Sequence, residues 1–177
     1  MSRKHIEEAI RIFLNIKARL DEANIDEKSK TEVKSKLRSR AREIPEMIVE
    51  LGFIPTLSFC LAKSGIDNLR MVIDWIEYGK AERFSEYKPE ELSYALYVYV
   101  ILKYLSNHMS TLKLDQGEVN LDLEMLGKGK RTTDVLYRYL EALAYGVNAL
   151  VASKLLQPYL LQFKRLCEAE FPSERGR

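Results

Sequence analysis

One stretch, Lys36 to Gly65, constrains the fold more than any other: KLRSRAREIPEMIVELGFIPTLSFCLAKSG. It starts basic and turns apolar after Ala41. Val33, Leu37, Ile44, Ile48 and Leu51 follow one another at spacings of four, seven, four and three, which sets them on one face of a helix. Lys30, Lys34, Arg38 and Arg42 climb an adjacent flank in steps of four. One helix therefore has a core side and a cationic side. Pro45 lies inside this pattern and lacks a backbone N–H, so a bend or break is expected near it. Gly52 suits the left-handed position that closes a helix, and a second apolar helix, about Pro55 to Lys63, follows.

The rest of the chain has the same period. Ser2 to Ala23 reads as an amphipathic helix with Ile6, Ile10, Phe13, Ile16 and Leu20 on its stripe. Asn24-Ile25-Asp26 supplies a turn and a cap for the helix just described. Asp67 can cap a helix from about Asn68 to Tyr78, and the polar stretch from Gly79 to Lys88 reads as a loop. Pro89-Glu90-Glu91 is a strong helix start: proline suits the first position, and carboxylates suit the positive end of the helix dipole. Tyr97 to Ile101 is β-branched and aromatic like a buried strand, but the start signal and a length reaching about Leu112 favour a buried helix. Val119 to Leu126 reads as a short helix and Gly127 to Arg131 as a basic loop. Leu136, Leu140, Leu143, Val147 and Leu150 form the stripe of a further helix capped by Thr132 or Thr133. Pro158 is expected to divide it from a last helix ending near Glu170.

The expectation is an all-α, compact single-domain bundle of seven or eight helices over residues 1–172, with a frayed tail over 173–177. At 177 residues, 46% of them hydrophobic, the chain has enough apolar material for one core. The longest apolar run, Tyr94 to Leu102, is too short to span a bilayer, and the charged N-terminus is no signal peptide. Two lone cysteines, Cys60 and Cys167, fit core packing in a reducing, cytoplasmic setting.

Catalytic chemistry finds little to work with. His5 and His108 have no nucleophile motif beside them and read as surface histidines. A di-iron bundle needs a glutamate three residues before each histidine, and those positions hold Ser2 and Leu105. Asn120, Asp122 and Glu124 alternate, but they lack the glycine and closing glutamate of a calcium loop. In GKGKRT, Glu124 stands where a phosphate loop needs its first glycine, and Arg131 follows Lys130 where serine or threonine is required. No catalytic residue, metal site or cofactor is assigned.

Cations are the better signal. The net charge is only +2 with 31% of residues charged, so placement and not the total identifies a partner. Lys30, Lys34, Arg38 and Arg42 repel one another in a line, and folding alone gives little reason for them. Two readings stand: a solvated flank, or a face that binds nucleic-acid phosphates. The loop with Lys130 and Arg131, at the start of a helix, has the same two readings. Tyr94, Tyr97 and Tyr99 lie in the apolar run and read as core residues before stacking platforms.

Ala41 to Gly65 resembles the small helical subunit of the Cmr complex, the type III-B CRISPR effector that captures target RNA with a guide RNA. The resemblance rests on Ala41-Arg42-Glu43-Ile44-Pro45, Met47-Ile48, Gly52, and Thr56-Leu57 through Phe59 to Lys63. Tyr137-Arg138 and Glu141 to Tyr145 look like a later family element. Phe163 to Glu170 resembles the family's ending, set off by an extra stretch from about Gly146 to Gln162. The resemblance implies a non-catalytic subunit whose copies stack along the backbone filament of the complex, beside the other Cmr subunits. It also implies contact with guide RNA and target RNA through the phosphate backbone, which calls for placed Lys and Arg and no base readout. The expected contacts are Lys34, Arg38 and Arg42, with Lys63, Lys130, Arg131 and Arg138 as a second group. A helical adaptor that binds only protein is the alternative. An enzyme built from Glu90, Glu91 and Asp122 around a metal is a more distant one.

Overall fold

The computed structural model describes residues 3–79, 88–114, 117–128 and 132–173. Ten elements follow in order: α1 (Arg3–Glu22), α2 (Glu27–Leu51), α3 (Phe53–Ser64), α4 (Ile66–Tyr78), α5 (Pro89–His108), β1 (Thr111–Leu114), β2 (Gly117–Asn120), α6 (Leu123–Lys128), α7 (Thr132–Ala144) and α8 (Asn148–Glu170). The helical bundle expected from the sequence is the architecture found, with one small hairpin added.

The centre is α5. Every residue from Leu92 to Leu102 is buried, as are Tyr104 and Leu105, so no face of that stretch is left for water. It packs against α2, α3, α4, α6 and α8. Pro89 opens it, with Glu90 and Glu91 in the first turn, as the start signal requires. It ends at His108 and not near Leu112. Residues 111–120 instead form an antiparallel hairpin in which Leu112 pairs with Val119. These two face inward, and their outward neighbours Thr111, Lys113, Glu118 and Asn120 are exposed. This alternation is the period-two pattern of a half-buried ribbon. The helix expected over Val119 to Leu126 is therefore replaced by the end of β2 and by α6.

Asp26 caps α2 as expected, accepting from the Ser29 N–H at 2.9 Å. These hydrogen bonds, with one from the Ser29 hydroxyl, hold the Asp26 carboxyl below its usual range. Helix α2 then runs through Pro45 without a break, held there by the buried Ile44 and Ile48. Leu51 is off the core stripe, at 58% exposed, as is Ile10 of α1 at 37%. Gly52, at φ 92°, closes α2 and opens α3 two residues before the expected start. Gly65, at φ 74°, does the same between α3 and α4, so Asp67 falls in the first turn of α4 and is not its cap.

The second proline also fails to break its helix. Pro158 sits inside α8, and the division falls at Gly146, at φ 58°. There the Asn148 side chain donates to the Ala142 carbonyl at 2.8 Å, satisfying the end of α7. Val147 and Leu150, expected on a core stripe, are 66% and 57% exposed.

Helix α8 lies between α1 and α2. Tyr104 bridges His5 and the Leu155 carbonyl, Phe13 meets Phe163 at 6.0 Å, and Lys17 meets Glu170. Residue numbers rise together, so α1 and α8 run parallel. Against α2 they run in opposite senses: Glu46 pairs with Lys164, Arg42 with Glu168 and Arg38 with Phe171. Cys60 and Cys167 are buried free thiols. Among the described residues no helix is long and apolar enough to cross a membrane.

Candidate nucleic-acid interface

Steps of four along α2 bring Lys30, Lys34, Arg38 and Arg42 into one row, and the fold lays two helix ends against that row. Lys30 donates to the Asp21 carbonyl at 3.0 Å and pairs with Glu27 at 2.9 Å. Lys34 pairs with Asp21 at 2.5 Å, its side chain 20% exposed. These two cations sit at the C-terminal end of α1, where the helix dipole is negative. The Arg38 guanidinium donates to the Phe171 carbonyl at 2.6 Å, just past the end of α8. Arg42 meets the Glu168 carboxylate at 3.5 Å and remains 60% exposed. The row is thus a mixed seam in its own fold, and its openness increases toward Arg42.

The opposite side of α2 is tied down. Arg40 pairs with Glu43 at 2.5 Å and Glu90 at 3.6 Å, and its guanidinium lies 4.3 Å from the Tyr94 ring centroid. Lys36 approaches Glu32 at 4.0 Å.

Lys63, in the last turn of α3, is exposed and lies 5.7 Å from the ring centroid of Phe59. Arg138 is exposed on α7, with Asp134 four residues before it and Glu141 three after. Neither Lys63 nor Arg138 forms an ion pair among the described residues. Lys130 and Arg131 lie outside the described residues. The structure thus joins Lys34, Arg38 and Arg42 in one row and sets Lys63 and Arg138 on other helices. Tyr94, Tyr97 and Tyr99 are core residues, none more than 5% exposed.

A second polar cluster escaped the sequence. His5 and His108, read as surface residues, are half-buried where α1 meets α5, their ring centroids 5.9 Å apart. The Glu8 carboxylate accepts from Asn107 at 2.6 Å and from His108 Nε2 at 2.7 Å. The Tyr104 hydroxyl gives its one proton to the Leu155 carbonyl at 2.9 Å, so His5 Nδ1, at 2.8 Å, is the donor to its oxygen. A cleft of about 460 Å³ opens beside them, lined by Lys4, Glu7, Glu8, Arg11, Asn107 and His108. Among the described residues that line it there is no serine, threonine or cysteine for a histidine to activate. The groups clasp three helices. No local signal announces this, because the partners are about a hundred residues apart.

The scattered carboxylates do not converge either. Glu90 faces Arg40, and Glu91 accepts from Asn68 at 3.3 Å. Asp122 caps α6 by accepting from the Glu124 N–H at 2.8 Å. Among the described residues no group of three or more His, Cys, Asp or Glu could hold a metal ion.

Residues 15–144 match the family described as CRISPR-associated protein (Cas_Cmr5). A curated relative, the CRISPR system CMR subunit Cmr5 of Saccharolobus solfataricus, is 30% identical over 139 residues, covering 77% of this chain and 79% of the relative. A chain in the cryo-EM structure of a type III-B Cmr-β complex bound to cognate target RNA and AMPPnP superposes with a TM-score of 0.71 at 25% identity. The superposition covers 98% of this chain and 100% of that one, while the family model ends at residue 144, before α8. A chain of the complex bound to non-cognate target RNA has the same fold, with a TM-score of 0.71 at 24% identity.

Proposed function

The chain belongs to the Cas_Cmr5 family, and from that premise we propose that it is a non-catalytic structural subunit of a type III-B CRISPR effector. Copies of it stack along the backbone filament with the other Cmr subunits. Its basic helix faces contact the guide RNA–target RNA duplex through phosphates.

The observation that carries the reading is the row of cations on α2, open at Arg42, the member of the row that lies inside the segment carrying the family resemblance. Core packing uses the neighbouring stripe of that helix, through Val33, Leu37, Ala41, Ile44 and Ile48. Duplex recognition by phosphate and shape needs only such positioned charge. Arg42, Lys63 and Arg138 are the exposed contacts. Lys34 and Arg38 reach RNA by sharing or exchanging their intramolecular partners, and Lys130 and Arg131 extend the set. A modest contact per copy becomes strong when several copies lie side by side.

Charge reversal tests this. Arg42→Glu with Lys63→Glu should weaken binding to a guide–target RNA duplex and flatten its salt dependence by about one slope unit per lost phosphate contact. Helicity by circular dichroism should not change. Unchanged RNA binding at about 0.15 M salt would overturn the RNA reading. The adaptor reading then takes its place, supported by the exposed Val49 and Leu51 at 76% and 58%.

A further inference from the structure

We infer that the end of α8 is a built-in competitor for RNA on the α2 row, with Glu168 as the residue that holds down the affinity of the isolated subunit. This rests on the RNA reading above and adds to it the group that sets its strength.

The argument begins with register. Helix α8 runs antiparallel to α2, and its contacts keep step with it: Lys164 with Glu46 at 3.5 Å, Glu168 with Arg42 at 3.5 Å, and the Phe171 carbonyl with Arg38 at 2.6 Å. Two oxygen acceptors, one a full carboxylate, are thus presented to consecutive cations of the row at the helical pitch. They also lie at the negative end of the α8 dipole. A phosphate backbone lying along α2 would offer the same guanidinium groups the same kind of oxygen.

The two acceptors differ in how they can yield. The Phe171 carbonyl is fixed, because its side chain is buried against Phe13 at 5.1 Å. Among the described residues Glu168 is held only by its exposed contact with Arg42. An ion pair of this kind is weak enough to exchange with phosphate and strong enough to compete with it. Glu170 is engaged elsewhere, with Lys17 at 2.5 Å, where it holds that ammonium above its usual range. Glu168 is therefore the counter-charge that the first phosphate must displace. The physical consequence is selectivity for avidity: a lone copy binds RNA poorly, while a stack presents several seams at once and exchanges them together.

The test is a double-mutant cycle on the full chain with a synthetic RNA duplex, measured between about 50 and 200 mM salt. Glu168→Gln keeps the shape and removes the charge. It should tighten binding about two- to fivefold, the range that corresponds to a surface ion pair. In an Arg42→Gln background the same change should have no effect, because the competitor acts through Arg42. Glu46→Gln, a neutralisation of the same sign elsewhere on the seam, controls for net charge. If Glu168→Gln leaves binding unchanged while Arg42→Gln weakens it, the competitor is overturned and the RNA reading stands. If neither has an effect, the RNA contact at Arg42 falls and takes the competitor with it. Equal tightening by Glu46→Gln, or tightening that persists with Arg42→Gln, reduces the effect to overall charge and also overturns the inference.

Discussion

Helices α5 and α2 lie against each other and make opposite use of their sequence. From Leu92 to Leu102 α5 is enclosed on all sides, by α2 and α3, by α4 and α6, and by α8. Over its 25 residues α2 spends one stripe on that core and keeps a charged surface for everything else. The difference separates stability from recognition. A helix with no free face can only hold the fold, and its information is volume and shape. A helix with a free face can carry charge that folding does not ask for. The seam with α8 shows that even this charge is partly answered from within.

The largest effect should come from α5. Leu102→Ala removes a fully buried side chain from a layer packed on all sides, where there is little room to relax. It should cost about 2–5 kcal/mol in urea unfolding. Glu168→Gln, on the α2–α8 seam, should cost less than about 1 kcal/mol. Comparable costs would mean that the seam bears as much of the fold as the core, and the contrast between the two helices would break.

An intermediate effect concerns the shell around α5. Cys60 of α3 and Cys167 of α8 are both fully buried. Burial raises the Cys60 thiol from 9.0 to about 12, with the Arg40 charge pulling weakly the other way. Burial pushes Cys167 up as well. The folded state thus holds these protons more tightly than the unfolded chain. Their contribution to stability is complete below about pH 9 and is lost as pH rises toward the folded value near 12. Unfolding free energy should therefore fall as pH rises above 9, and neither thiol should react with a disulfide reagent at neutral pH until the protein unfolds. Rapid labelling of the native protein would show that the shell is open.

Local signals revealed most of this architecture. The α5 start was legible because Pro89, Glu90 and Glu91 act within one turn. The Asp26 cap and the glycine stop at Gly52 act just as locally. Proline misled: at Pro45 and Pro158 one backbone hydrogen bond is lost, but buried neighbours on both sides outweigh it. The hairpin was missed because four-residue strands are too short to announce a period. The cationic row was legible as a row. That Lys34 and Arg38 answer to the ends of α1 and α8 was not, because Asp21 and Phe171 come to them only through packing. The Glu8–His108 clasp was hidden for the same reason.

The smallest effect is the sharpest test of how α5 is built. Its buried hydroxyls mostly find partners. Tyr99 donates to Glu77 at 2.6 Å, and Tyr104 donates to the Leu155 carbonyl at 2.9 Å. The Tyr97 hydroxyl, fully enclosed, has no hydrogen-bond partner among the described residues. An orphaned buried hydroxyl costs desolvation energy without repayment, whereas a paired one contributes about 1 kcal/mol net. The two changes to phenylalanine should therefore differ in sign. Tyr99→Phe leaves Glu77 with Lys103, at 2.7 Å, as its partner among the described residues, and should destabilise by about 1 kcal/mol. Tyr97→Phe removes the penalty and leaves only a small void, so it should be neutral or stabilising by up to about 1 kcal/mol. Melting temperatures of the two variants decide the matter. A loss at Tyr97 as large as that at Tyr99 would mean that the Tyr97 hydroxyl is satisfied in solution, and that the enclosure of α5 includes a polar contact at its centre.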